Sequence, residues 1–512
     1  MKDKTSRQIK KEQRALEIAE REKKFRRAKK WQMLLFPTIG TAHNAFMFLM
    51  MLVSFYAAGI VGLGTVVASM VLTGTRIFDG ITDPIVAVIA DKTEGKLGKV
   101  RPLIIMAYLT MSAAVLILFF TTHKVPEGMR LIYFIAVYCI YIIGYTISSI
   151  AGPIGKTIIT TDPEQRPVLG GTEAIYNSVY FALASVYLSK YLAPKHGGFN
   201  NETFFHELTI TTIIIAGIFY MISFIAIRES DRIENFGVGA NKQHKVSIKD
   251  MWEVLKGNRP LQMFILAATT DKLSMQAAGN QVVPILLFGI IIGNYGLFGT
   301  MQTIALVPNI LLLLIGMRYA KKFGTKQAYV AATWACIVIY TSWFFLLWLG
   351  DPTQIDLNNI GFMTIAFITL HLLGGGARMI STGLVQPMLP DITDYETHKS
   401  GKFVPGTISA TYSFIDKMVS SLSQTIVGLT LSFIGFKAAF PDINTPYSNN
   451  IFWATMFLDY GILMFAWIAS LIAMKFYPLT KERMEEIQVD LDIRRKENDL
   501  SNLEDEVVDR LS

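Results

Sequence analysis

Charge is scarce in this chain: Asp, Glu, Lys and Arg together make up 17% of its 512 residues, against 52% hydrophobic residues. Composition this poor in charge, with apolar runs longer than a soluble core helix needs, excludes an ordinary water-soluble globule and points to a membrane protein. Cysteine is scarcer still. Cys139 and Cys336 both fall inside apolar runs, where neither a disulfide nor a metal site has a partner, so both read as packing residues. A cleavable signal is also missing, because the first thirty residues are charged throughout and lack a short apolar region followed by a small-residue cleavage site. The polar groups show no nucleophile and base pairing and no metal-ligand spacing, which argues against an enzyme and for no cofactor. No soluble basic domain is present, so the net charge of +8 does not indicate a nucleic-acid partner.

What the chain does have is length in apolar segments. A membrane span needs about 20 mostly apolar residues, and twelve candidates can be read: Trp31–Ala58, Thr65–Ala90, Pro102–Thr122, Leu131–Thr160, Gly171–Leu192, Leu208–Ile227, Leu261–Ile292, Tyr295–Tyr319, Ala328–Leu349, Ile360–Leu389, Val404–Phe436 and Ile451–Phe476. Basic residues crowd the N-terminal tail and the Asp91–Arg101, Arg228–Arg259, Arg318–Lys326 and Lys399–Lys402 segments, whereas Thr122–Arg130, Gly350–Asn359 and Lys437–Asn450 hold few. The positive-inside rule therefore predicts a multi-pass protein with both termini in the cytoplasm.

The polar stretch Arg228–Gly257, with a short amphipathic helix expected around Ile248–Leu255, divides the chain into two six-helix halves. The segment from Ala90 to Lys96 after the second span has an echo in Ala320 to Lys326 after the eighth, the weak parallel similarity expected of two bundles built on one repeat. The expected organisation is a charged arm over 1–30, a first bundle over 31–228, a linker over 229–258, a second bundle over 259–477 and a tail over 478–512. The arm reads as a solvated helix, with contact to anionic lipid head groups as the alternative. In the tail, Met484, Ile487 and Leu491 are spaced for one helical face.

An ionisable residue near the bilayer centre costs roughly 2.5–3.5 kcal/mol on insertion scales, so each one inside a span needs a reason. The second span contains Arg76, Asp79 and Asp83, with Thr82 and Pro84 beside them. Aspartates four residues apart lie on the same face of a helix. Their repulsion must be relieved by a proton, a bound cation or a basic neighbour, and hard oxygen ligands suit a small cation such as sodium. The hydroxyls of Thr82 or Thr146 can add neutral oxygens, and Pro84 frees the carbonyl of Gly80. The plain alternative is a packing ion pair between Arg76 and Asp79, although one Arg cannot compensate two carboxylates. Other polar groups inside spans are His43, Asn44, Ser148, Ser149, Lys156 and Asn177 in the first half. The second half adds Asp271, Lys272, Gln276, Asn280, His371, Arg378, Gln386, Asp416, Lys417 and Gln424. Neighbours such as Asp271 and Lys272, or Asp416 and Lys417, point in different directions on a helix and are not simply each other's counter-ions. Lys417 is the candidate to balance the aspartate pair from the other half. Any single His or Gln here can serve an inter-helix hydrogen bond, yet together these residues argue for a wet central cavity.

The string Arg76-Ile77-Phe78-Asp79-x-x-x-Asp83-Pro84, followed by Asp91-Lys92-Thr93 and Gly98-Lys99-x-Arg101-Pro102, resembles the second helix and following loop of the glycoside, pentoside and hexuronide:cation symporter family. This is the melibiose carrier's family within the major facilitator superfamily. Thr160-x-Asp162-Pro163-Glu164-Gln165-Arg166, Pro390-Asp391-Ile392-x-Asp394-Tyr395-Glu396 and Pro478-Leu479-Thr480-Lys481-Glu482 extend the resemblance over nearly all the membrane part. It implies an all-α major facilitator fold of twelve transmembrane helices in two pseudo-symmetric six-helix bundles that rock to give alternating access. It further implies a cation site at Asp79 and Asp83, helped by Thr146, with Lys417 nearby. Asp162, Arg166, Arg318, Asp391 and Asp394 would form a cytoplasmic gate. The family's acidic sugar ligands in helices one and four are replaced by His43 and Ser149, so galactoside recognition is not expected.

The expectation is thus a monomeric importer in the cell membrane that couples Na+ or H+ to a sugar-like solute. His43, Asn44, Ser149, Lys156, Asp271, Lys272, Gln276 and Arg378 would line the solute cavity. The cations Arg76, Lys156, Lys272, Arg378 and Lys417 suggest an anionic glycoside such as a glucuronide. Two alternatives are a lipid or other amphiphile as solute and a non-transporting sensor with the same fold.

Overall fold

The computed structural model describes residues 26–92, 97–162, 164–232, 248–401 and 404–494, with backbone alone at 81, 83–92, 248, 250 and 386. Most of the N-terminal arm and of the linker lies outside these residues. The described chain is built from long helices, numbered here as α1 (Thr38–Met50), α2 (Thr65–Lys92), α3 (Val100–Thr121), α4 (Glu127–Ile159), α5 (Gln165–Val186) and α6 (Glu202–Ile227). They continue with α7 (Arg259–Ala278), α8 (Gly296–Phe323), α9 (Thr325–Leu349), α10 (Phe362–Ser400), α11 (Pro405–Phe433) and α12 (Ile462–Phe476).

Local chemistry explains several of the helix ends. Asn201 accepts a hydrogen bond from the Thr203 N–H at the start of α6, and Asn258 accepts from the Leu261 N–H at 2.8 Å at the start of α7, where Pro260 needs no donor. Both α1 and α7 run on through a short helix into a π-helical segment, Tyr56–Ile60 in one case and Ile285–Ile291 in the other. Gly62 and Gly293, with φ of 82° and 80°, then turn the chain in the left-handed region that glycine tolerates.

Among the described residues, eight helices are long and apolar enough to cross a membrane, or nine if the pair Arg259–Ala278 and Val282–Ile291, bent by 48°, counts as one span. The sequence-based expectation is twelve. Helices α2, α5 and α11 have comparable length but fall outside that group, and they carry Arg76 and Asp79, Glu173 and Asn177, and Asp416 and Lys417. The segments that fail on apolarity are those with the polar side chains.

The chain divides into two compact units, Met1–Lys242 with Phe436–Phe440, and Gln243–Gly435 with Pro441–Ser512. In the first unit, Asp231 caps α3: its carboxylate accepts from the N–H groups of Lys99 at 2.8 Å and Arg101 at 2.9 Å, with the Arg101 guanidinium 3.4 Å away. An anion at a helix N-terminus is stabilised by the unpaired amides there. Residues 26–29 are tied to the α4–α5 junction: the Thr161 N–H donates to the Arg26 carbonyl, the Arg26 N–H donates to the Thr161 hydroxyl, and Ala28 exchanges two bonds with the Gln165 side chain.

In the second unit the C-terminal helix, residues 481–494, buries Ile487 and Leu491 in one cluster with Ile392 and Ile408, while Met484 packs against it. The predicted face is therefore real, and α10 is what it meets: Gln488 donates to Asp394 at 2.6 Å and His398 lies 2.8 Å from Asp490.

Candidate cation and solute site

The carboxylate of Asp79 sits half-buried on α2, and α4 brings it a neutral oxygen. The Thr146 hydroxyl, fully buried, donates to Asp79 Oδ1 at 3.0 Å, and its own helix offers it the Ile142 carbonyl at the same distance. One turn along α2, Thr82 donates to the main-chain carbonyl of Asp79 at 3.0 Å and stands 3.5 Å from the Thr146 hydroxyl. Oxygens of Asp79, Thr82 and Thr146 thus gather from two helices, a hard donor set of the kind that holds alkali cations. Asp83 is on the same helix, but its side chain lies outside the described residues. Arg76 is exposed.

Around this cluster, polar side chains join the helices of the first unit. His43 Nδ1 on α1 lies 3.0 Å from Ser148 Oγ on α4, which is 2.6 Å from the Tyr220 hydroxyl on α6, and the His43 ring lies 4.2 Å from that of Tyr145. Ser148, not Ser149, is the α4 residue that His43 meets; Ser149 gives its hydroxyl to the Thr146 carbonyl at 2.8 Å. Asn44 is half-buried beside His43 on α1. Lys156 on α4 forms an ion pair of 2.7 Å with Glu173 on α5. Gly40 on α1 leaves room for that carboxylate, since a Cβ there would fall within 2.7 Å of its side chain.

The second unit disposes of its charges differently. Lys272 on α7 pairs with Asp416 on α11, so it is not the free cation for a solute carboxylate that the sequence suggested. Asp271 turns to other helices and takes hydroxyls from Tyr329 on α9 and Ser470 on α12. The Arg378 guanidinium on α10 lies 5.5 Å over the Tyr340 ring and interacts electrostatically with Asp459. Gln276 lies 3.5 Å from the Ser423 hydroxyl, and Asn280 donates to Gln424 at 2.9 Å. Lys417 is half-buried on α11.

The residues expected at a gate have local partners. Buried Asp162 is 2.9 Å from Arg27 Nε within the first unit. Asp391 accepts from Thr325 at 3.3 Å and Asp394 from Gln488, both within the second. Arg166 and Arg318 are exposed.

A family model described as MFS/sugar transport protein matches residues 35–481. The chain belongs to that family. It is accordingly a membrane transporter with the major facilitator fold, not an enzyme. The chain is similar to the glucuronide carrier protein homolog of Escherichia coli K12, 22% identical over 91% of this chain and 96% of the relative. Similarity extends to the isoprimeverose transporter of Lactiplantibacillus pentosus, at 23% over 75% of this chain and 76% of the relative. It also reaches a putative glycoside/cation symporter of Escherichia coli K12, YagG, at 21% over 86% and 89%. Among solved structures, nucleoside transporter NupG superposes with a TM-score of 0.58 at 12% identity, covering 88% of this chain and all of that one.

Several residues of this family member escape a reading of its sequence. Glu173 and Asp459 are ionisable groups within helical segments, and the cost of membrane charge is signal enough to find both. Tyr329 and Ser470 carry no such signal. Hydroxyls are common in spans, and only the approach of their helices to Asp271 marks them out.

Proposed function

We propose that this transporter is a symporter that couples a small cation, Na+ or H+, to the import of a sugar-like solute by alternating access, from a cell membrane that it crosses as a monomer with both termini in the cytoplasm. The observation that carries the reading is the hydrogen bond from Thr146 to Asp79, which joins a membrane carboxylate to neutral oxygens on two helices. A cation bound there with Asp83 would relieve the repulsion of the two carboxylates and order α2 against α4. By linkage, a solute that binds more tightly to the ordered form raises cation affinity by the same factor. Arg76, on the same helix, would balance the charge when the cation leaves. Asp162, Asp391 and Asp394 would work the cytoplasmic gate through the partners described above, together with the exposed Arg166 and Arg318.

For the solute, the names of the relatives support a glycoside class, spanning a glucuronide, isoprimeverose and glycosides at large. Between neutral and anionic members, the pairing of Lys156 with Glu173 and of Lys272 with Asp416 favours a neutral glycoside, because a cation already neutralised by a carboxylate offers little to a second one. His43, Asn44 and Ser149 are the proposed solute residues of the first unit and Gln276 and Arg378 those of the second; Asp271, whose carboxylate is taken by Tyr329 and Ser470, is not among them.

The test has two stages. Thermal unfolding of the purified protein is followed with neutral glycosides and with glucuronides, each with and without sodium, and stabilisation identifies the bound class. Uptake of that compound is then measured in energised vesicles carrying Asp79→Cys or Asp83→Cys. Accumulation that stays cation-driven in both variants sinks the assignment.

A further inference from the structure

Asp271 lies deep in the second unit with 6% of its surface exposed. Its Oδ2 accepts from the Tyr329 hydroxyl on α9, and its Oδ1 accepts from Ser470 Oγ on α12 at 2.6 Å. Both are neutral donors. Three helices meet at one carboxyl, and among the described residues none brings it an ammonium or guanidinium group.

The charged and titratable groups on the surrounding elements are accounted for. Lys272, next to Asp271 on α7, leaves by the other face and pairs with Asp416 on α11. Arg378 on α10 stacks over Tyr340 and is matched electrostatically with Asp459 in the π-helical segment Phe457–Gly461 that precedes α12. On α9 the titratable groups nearby are Tyr329 itself and the buried Cys336. A buried carboxylate without a cation bears a large desolvation cost, and binding one proton removes it.

The second observation is the position of Ser470. Its single hydroxyl proton has two acceptors, Asp271 Oδ1 at 2.6 Å and the Ala267 carbonyl, one turn earlier on α7, at 3.2 Å. With Asp271 ionised, Ser470 donates to it. With Asp271 protonated on Oδ1, the new O–H donates to Ser470 Oγ and the serine proton turns to Ala267. The network closes in both states without moving a helix, whereas a carboxylate held only for packing needs one acceptor arrangement.

We propose that Asp271 is a proton-binding site of the second unit, a carboxyl that takes up and releases one proton while Ser470 turns its hydroxyl between Asp271 and Ala267. The only bond made or broken is the O–H bond of the carboxyl, and the proton comes from and returns to water. The site is distinct from Asp79, and nothing in the inference depends on the cation assigned there.

The full-length protein in liposomes, with no solute added, is titrated by infrared difference spectroscopy. The expected result is a C=O band of a protonated carboxyl that appears on acidification with a one-proton profile, is lost in Asp271→Asn and is kept in Asp271→Glu. Ser470→Ala, which removes the proton's acceptor, is expected to shift the frequency of that band. A carboxyl spectrum that is the same in wild type and Asp271→Asn at every pH overturns the proposal, as does a band that ignores Ser470→Ala. Should Asp271→Asn fail to fold, the Ser470→Ala shift alone decides. No transport is measured, so the result is independent of the solute and of the site at Asp79.

Discussion

Each unit of this transporter holds a carboxylate met by hydroxyls from neighbouring helices, yet the two carboxylates are set for different partners. In the first unit Asp79 is half-buried, and Thr146 and Thr82 bring oxygens with spare lone pairs beside it, so a cation can complete the group. In the second, Asp271 is buried and takes the hydroxyls of Tyr329 and Ser470. Ser470 can turn its hydroxyl from donor to acceptor there, and that suits a proton. The same contrast runs through the ion pairs. Lys156 and Glu173 keep 28% and 20% of their side chains exposed, whereas Asp416, the partner of Lys272, keeps 5%. Similar chemistry on related scaffolds is thus tuned by depth.

The sharpest way to break this contrast is Asp79→Cys, which is expected to abolish cation-driven accumulation of solute in vesicles while leaving binding-competent protein in the membrane. Next comes the pair of lysines. Lys272→Ala leaves Asp416 buried without its cation and should destabilise the protein by ~3 kcal/mol, near the lower end for a broken buried pair because the lysine itself is 45% exposed. Lys156→Ala should cost less, about 1–2 kcal/mol, because Glu173, left without its cation, keeps 20% of its side chain exposed. Thermal unfolding in one detergent compares the two, and equal losses would erase the difference in depth.

Thr146→Ala removes one oxygen and one hydrogen bond from Asp79. A loss of about 1.5 kcal/mol, the lower end for a hydrogen bond to a charged group, raises the half-saturating cation concentration about tenfold. Thr146→Ser should restore it. Two further positions lie in the loops after α2 and α8, where Gly98 and Gly324 have φ of 83° and 97°. Alanine in the left-handed region costs about 1–2 kcal/mol. Gly98→Ala is expected to cost the more, because its Cβ collides with Asp231, which caps α3, whereas at Gly324 the nearest atom is the Lys481 Cβ at 3.0 Å. The midpoint of thermal unfolding of each variant ranks them.

Much of the fold is legible in the order of the residues. Long apolar runs outline the helices, and the 3.6-residue period places Ile487 and Leu491 on one face of the tail. Apolarity alone undercounts the helices, because α2, α5 and α11 spend their surface on Asp79, Glu173 and Asp416 instead of on lipid. In the site, the string from Arg76 to Pro84 marks Asp79, and the opposite directions of Asp271 and Lys272 follow from their adjacency on a helix. What each one meets does not. His43 and Ser149 are the positions that the resemblance singles out, and the α4 residue that His43 meets is Ser148, about 100° round the helix from Ser149.

By itself, the sequence determined that the chain is helical and membrane-embedded and which helices carry charge, since hydrophobicity and helical period are local properties. The tertiary structure decided that Thr146 reaches Asp79, that Lys272 chooses Asp416 and that Asp271 is left to hydroxyls. Those outcomes turn on atoms brought within about 3 Å by residues far apart in the chain. How closely two helices approach is set by the packing of all the side chains between them, which no single segment encodes.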